Sequence, residues 1–96
     1  MSTLHTISKP PGQRQLEQCL ALCRKGDAIL FIEDGVYHGM SADELDKVPQ
    51  NIPVFGLHDD LKARALLERS HERLHVAKMQ RFVELSCEYD KVLSWF

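Results

Sequence analysis

The sequence predicts an α/β domain, a mainly parallel sheet layered between helices on both faces. Three observations carry that expectation. Ala28-Ile29-Leu30-Phe31-Ile32 is a continuous apolar run, and a strand apolar on both sides is covered on both faces. Periodicity alternates along the chain in the order β-α-β-(α)-β-α-β-α, which suits right-handed crossovers between parallel strands. The apolar run stops at Glu33-Asp34-Gly35, and the carboxyl end of a strand is where open α/β sheets build sites. With 96 residues the chain forms one domain, 1–96. A core that small gains from association with other chains.

Each element follows from a local signal. Thr3 to Ser8 reads as a short strand, ended by Pro10-Pro11-Gly12. A helix is expected from Gln13 to Lys25, because Leu16, Cys19, Leu20 and Cys23 form one apolar stripe. Gly26 is placed to end it, with Arg24 and Lys25 at its negative end. The buried strand spans Asp27 to Glu33, and Gly35 to Gly39 reads as a turn. Ser41 and Glu44 have capping-box spacing for a short helix that stops before Pro49. Ile52 to Leu57 is a third strand, with Pro53 on an edge or just outside the ladder. Asp59 or Asp60 caps a helix running to Ser70, with Leu61, Ala65 and Leu66 inward. Leu74 to Met79 is a weaker strand. Phe82, Leu85, Tyr89, Val92 and Phe96 then share one stripe, which predicts a closing helix to Phe96.

Charge and composition exclude several classes. Twelve basic and 14 acidic side chains give a net charge of −2 with no basic block, so direct capture of nucleic acid is not expected. No apolar run approaches the roughly 20 residues of a membrane span. The start, MSTLHTISK, lacks the pattern of a secretory signal, so a cytoplasmic protein is expected. Cys19, Cys23 and Cys87 are an odd set, unlike a disulfide framework and suited to a reducing compartment.

Several segments together resemble one family. They are Leu4-His5-Thr6, Leu16-Glu17-Gln18-Cys19-Leu20, Glu33-Asp34-Gly35-Val36-Tyr37, Asp60-Leu61-Lys62-Ala63-Arg64, and Phe82-Val83-Glu84-Leu85 with Asp90-Lys91-Val92 and Trp95. In this order and spacing they resemble the DsrH/TusB family of sulfur-relay subunits over nearly the whole chain. The resemblance implies a small DsrE-like domain. It implies a heterohexamer with DsrE/TusD-like and DsrF/TusC-like homologous subunits, and a downstream sulfur-acceptor protein. It implies handling of persulfide sulfur, either toward 2-thiolation of the tRNA wobble uridine or in sulfur oxidation. The main sulfur-accepting cysteine would lie on a partner, making this chain a non-catalytic or accessory subunit. Cys19 matches the first-helix cysteine of dissimilatory DsrH members, which tilts the reading toward that branch. Two positions depart from the pattern. Ala65 stands where the family often has glycine, which suggests that the helix continues. His38 stands where a small apolar residue is common.

Cys19 therefore stands open to two readings, a secondary sulfur carrier or a small core residue on the apolar stripe. Cys23, one turn on, is half a zinc site at most, and the reading favoured for it is a second core cysteine. No metal and no cofactor are expected. A Cys19–Cys23 disulfide within a regular helix is geometrically poor. Cys87 falls beside its stripe and receives no role. His71 and His75 read as surface histidines and His5 as packed or hydrogen-bonded on its strand. Glu33 and Asp34 point to opposite faces of a strand, so they do not form an acid–base pair. Tyr37, Trp95 and Phe96 are interface candidates. A different class of function, a stand-alone DsrE-like small-molecule or nucleotide binder, lacks a glycine-rich phosphate loop.

Overall fold

The computed structural model describes residues 1–96. Its strands are β1 (Thr3–Ile7), β2 (Ala28–Phe31), β3 (Val54–Leu57), β4 (His75–Ala77) and β5 (Lys91–Trp95). Its α-helices are α1 (Gln15–Leu22), α2 (Ala42–Leu45), α3 (His58–Ala63) and α4 (Met79–Glu88). Short 3-10 helices cover Glu33–Met40 and Leu67–Arg69. The strands form one sheet in the order β4-β3-β2-β1-β5, and every pairing is parallel.

That order explains the layering. From β1 to β4 the chain steps across the sheet in one direction, so successive right-handed crossovers fall on one face. There Ile7, Ile29, Phe31 and Val54 pack with Leu16 and Cys19 of α1, Val36, Leu45 of α2 and Leu61 of α3. From β4 the chain returns to the far side of β1, which puts α4 on the opposite face. Leu4, Ala28, Leu30 and Ala77 meet Leu85 there, with Phe82 and Tyr89 alongside. All four residues of β2 are buried, as its unbroken apolar run requires.

The third strand is shorter than expected and lies inside the sheet, between β4 and β2. Pro53 lies just outside it, where its carbonyl accepts from the Ile29 N–H at 3.0 Å. Ser41 caps α2 by accepting from the Asp43 N–H at 3.1 Å. Glu44 does not complete the capping box but turns to His38 and Lys47. His38 is buried, stacks on Phe31, and bonds Glu44 Oε1 at 2.7 Å and the Lys9 carbonyl at 2.9 Å.

Four expectations are corrected. The closing helix stops at Glu88, and Lys91–Trp95 forms an edge strand paired with β1. The third helix ends at Ala63, because Ala65 takes a left-handed conformation (φ 56°) and is exposed. That conformation suits glycine, so Ala65 stops the helix rather than extending it. Leu57 precedes α3 with no side-chain cap, so neither Asp59 nor Asp60 caps it. Asp60 instead accepts from the Glu33 N–H at 2.7 Å. Residues 35–39 are helical rather than a turn. Gly35 is pressed so close to β1 that a β-carbon there would overlap the Ile7 carbonyl oxygen.

Candidate functional site: a thiol cluster at the end of the first helix

The first helix is also shorter than expected. It ends at Leu22, and Cys23 is already extended (φ −70°, ψ 136°). Gly26 (φ 95°) serves the following turn instead of the helix end. The Asp27 N–H donates to the Arg24 carbonyl at 2.9 Å, and Asp27 Oδ2 accepts from the Arg24 N–H at 3.0 Å. Asp27 Oδ1 accepts from the Thr3 N–H at 2.9 Å. One buried carboxylate thus binds the α1–β2 turn to the start of β1.

That carboxylate also orients an imidazole. Alternation along β1 sends Thr3, His5 and Ile7 toward α1. His5 Nε2 lies 3.0 Å from Asp27 Oδ2, and the Trp95 indole N–H donates to His5 Nδ1 at 3.1 Å. Since Nδ1 accepts, the neutral ring carries its proton on Nε2 and donates it to Asp27. Trp95 also stacks on His5, with ring centroids 6.2 Å apart. Trp95 therefore docks within its own domain.

The two helix cysteines complete the cluster. One donor atom from each of His5, Cys19 and Cys23 lies within 4.8 Å of the others. Cys19 is fully buried in the core, whereas Cys23 is half-buried. The pair divides its proton unequally. The neighbouring Cys19 thiol, against the cost of burial, and the nearby His5 imidazole bring Cys23 down to about 5. Hydrogen bonding to Cys23 and burial push Cys19 far up. Cys19 thus holds its proton more tightly than Cys23 does. Burial opposes charge on His5, yet the neighbouring Cys23 sulfur and the bond to Asp27 outweigh this and raise its pKa. The Trp95 bond pulls the other way, because a charged ring carries a proton at Nδ1. Burial also opposes ionisation of Asp27, but donors from His5, Arg24 and Thr3 hold its carboxyl below the usual range.

A cavity of about 290 Å³ opens beside His5, lined in part by Leu22, Arg24, Asp27, Lys91 and Leu93. Two thiols and an imidazole would suit a soft metal ion. They supply only three donors, however, and both ring nitrogens already hold protein partners. The cluster as built shares protons among sulfur, imidazole and carboxylate.

The carboxyl end of β2 has a different character. Glu33 takes φ 50°, Asp60 holds its N–H, and Asp34 pairs with Arg64 at 2.9 Å. These carboxylates brace a turn. The other singled-out residues lie apart from the cluster. Tyr37 is exposed on the 3-10 helix, Phe96 is 85 % exposed, and Cys87 is exposed on α4. His75 is exposed on β4 and His71 is half-buried.

Fold and cluster define a small parallel α/β domain with a paired-thiol site. The family model for DsrH-like protein matches residues 9–92. Protein TusB of Serratia proteamaculans (strain 568) is 33 % identical over 94 residues, covering 96 % of this chain and 99 % of that one. Protein TusB of Enterobacter sp. (strain 638) is 31 % identical over the same coverage. The crystal structure of the ychN protein from E. coli superposes with a TM-score of 0.75 at 15 % identity, covering 98 % of this chain and 97 % of that one. The chain belongs to the DsrH/TusB family.

His5 and Asp27 were not legible as site residues, and Trp95 was expected as an interface candidate rather than a partner of His5. His5 and Trp95 also lie outside the segment that the family model matches. The available signal was a strand histidine and a buried-strand aspartate on either side of a helix carrying two cysteines. No helix is long and apolar enough to cross a membrane.

Proposed function

We propose that this chain is an accessory subunit of a cytoplasmic sulfur relay that handles protein-bound persulfide sulfur. Sulfur transfer needs a thiolate near neutral pH, held where a donor can approach it. The observation that carries the reading is the Cys19–Cys23 pair at the end of α1, backed by His5 and Asp27. Membership of the DsrH/TusB family supports the same reading. Its partners would be DsrE/TusD-like and DsrF/TusC-like subunits in a heterohexamer. Tyr37 and Phe96 are exposed apolar groups available for those contacts. The relatives named TusB favour sulfur transfer toward tRNA thiolation, whereas Cys19 favours the sulfur-oxidation branch.

Co-purification from the native host tests the assembly. Recovery of the two homologous subunits with this chain is the expected result. A stable monomer carrying a bound small molecule in native mass spectrometry overturns it in favour of a ligand-binding domain. Loss of 2-thiouridine at the tRNA wobble position on deletion assigns the thiolation branch.

A further inference from the structure

The two helix thiols are not equivalent. Cys19 is fully buried among Leu16, Ile7 and the rest of the larger core. A donor could reach it only by opening that core. Cys23 stands just past the helix in extended backbone and is half-buried. It lies between Leu22 and Arg24, which both line the cavity beside His5. Two elements bring donor atoms within 4.8 Å of its sulfur, Cys19 from α1 and His5 from β1, while the charge of Asp27 ahead of β2 opposes its ionisation. Arg24 and Lys91 add positive charge to the wall of that neighbouring cavity, which Cys23 itself does not line.

We propose that Cys23, and not Cys19, bears the transferred sulfur, with Cys19 and the His5–Asp27 pair as positioning residues. The proposal rests on the sulfur-relay reading and assigns its chemistry to one atom. The Cys23 thiolate attacks the outer sulfur of a protein persulfide, R–S–SH. A sulfur–sulfur bond forms at Cys23, the bond from that sulfur to R–S breaks, and its electron pair leaves on R–S⁻. Cys23–S–SH results with no net oxidation, and no external oxidant is needed. Cys19 keeps its proton throughout, beside the sulfur of Cys23. The low pKa of Cys23 supports this division of roles.

Limited alkylation of the reduced full chain tests the thiol itself. Iodoacetamide is applied between pH 5 and 8, and the tryptic fragment Gln15–Arg24 is sequenced by tandem mass spectrometry to separate positions 19 and 23. At pH 6 a thiolate this acidic gains more in ionised fraction than it loses in nucleophilicity, so Cys23 should react about 10-fold faster than Cys87. Equal rates, preferential alkylation of Cys19, or tight zinc binding that protects both thiols overturns the proposal. Glutathione persulfide then tests sulfur loading. The expected result is one added sulfur at position 23 in the wild type, still at position 23 but loaded more slowly in Cys19→Ala, and absent in Cys23→Ser. Sequencing the wild-type fragment gives the position even where a variant folds poorly. Sulfur at position 19 with position 23 empty overturns this assignment and leaves the relay intact. No sulfur on any cysteine, with Cys23 alkylated rapidly, overturns the relay reading and leaves the reactive thiol.

Discussion

Replacing Asp27 with asparagine leaves the shape of this side chain almost unchanged and breaks its proton inventory. The carboxylate accepts from the N–H of Thr3 at 2.9 Å, the N–H of Arg24 at 3.0 Å and Nε2 of His5 at 3.0 Å. An amide offers one acceptor and one donor group. Its better orientation keeps the oxygen toward His5 and Arg24 and sets its NH2 against the buried Thr3 N–H. His5 cannot relieve a misfit by changing tautomer, because Trp95 already donates to Nδ1. Stranding one buried N–H costs about 1–3 kcal/mol. Losing charge assistance on the two remaining bonds adds roughly 1 kcal/mol each. Easier dehydration of a neutral group offsets part of this, so Asp27→Asn should destabilise by about 3 kcal/mol. For a domain of this size that lowers the melting temperature by roughly 12–24 °C.

The pH dependence has a sign. The pKa of Asp27 is lowered, so its contribution is present above the ordinary value of 3.8 and lost as pH falls through the folded value. The pKa of His5 is raised, so its contribution is full below 6.5 and lost as pH rises through the folded value. The gap between wild type and Asp27→Asn should therefore be widest between 3.8 and 6.5 and narrow on both sides. Urea denaturation followed by circular dichroism and by Trp95 emission, repeated across pH, measures it. A loss under about 1 kcal/mol, less than one stranded hydrogen bond costs, or a gap that does not vary with pH, refutes the reasoning.

Four further outcomes are expected. Gly35→Ala drives a β-carbon against the Ile7 backbone, whose carbonyl carbon would lie at 2.8 Å; a loss of about 2–3 kcal/mol is expected in urea melts. Ala65→Gly relieves a left-handed alanine that buries nothing, so the melting temperature should rise by the equivalent of about 0.5 kcal/mol, the conformational penalty less glycine's entropy. The Arg73 guanidinium donates to the carbonyls of Leu45, Val48, Pro49 and Ile52. Arg73→Ala should cost about 2–4 kcal/mol, because charged donors leave several carbonyls unserved. Arg81→Ala, which breaks exposed pairs to Glu84 and Glu88, should leave the urea midpoint unchanged.

The central layers were legible because their signals are local. An unbroken apolar run marked β2, and a stripe marked α1, although Cys23 falls just past its end. The chain beyond Glu88 was not, because Phe82, Leu85, Tyr89, Val92 and Phe96 keep helical spacing across a break that tertiary bonds impose. The Ser2 N–H donates to Asp90 Oδ2 at 2.8 Å, and the Asp90 N–H donates to Ser2 Oγ at 3.1 Å. These bonds draw residues 91–95 alongside β1. Val92 and Trp95 favour strands, which was the signal available. Cys19 lies in the core, one of the two readings its stripe allowed, but its cluster partners lie outside α1. His5 joins the cysteines only because β1 lies under α1. Asp27 joins them only because the α1–β2 turn folds its carboxylate back.

The bond between Trp95 and His5 spans 90 positions of sequence. Every other protein partner of His5 has been made by the time β2 is complete, but Trp95 is not present until the last strand is synthesised. A nascent or truncated chain lacking β5 can assemble β1 to β4 and still leave the imidazole without its second partner. Central β1 would also then be an open edge, exposed to mispairing with other chains. Asp27 holds the ring proton on Nε2 from the start, so what the docking of β5 adds is the donor to Nδ1, and the imidazole has both partners only once residue 95 is in place.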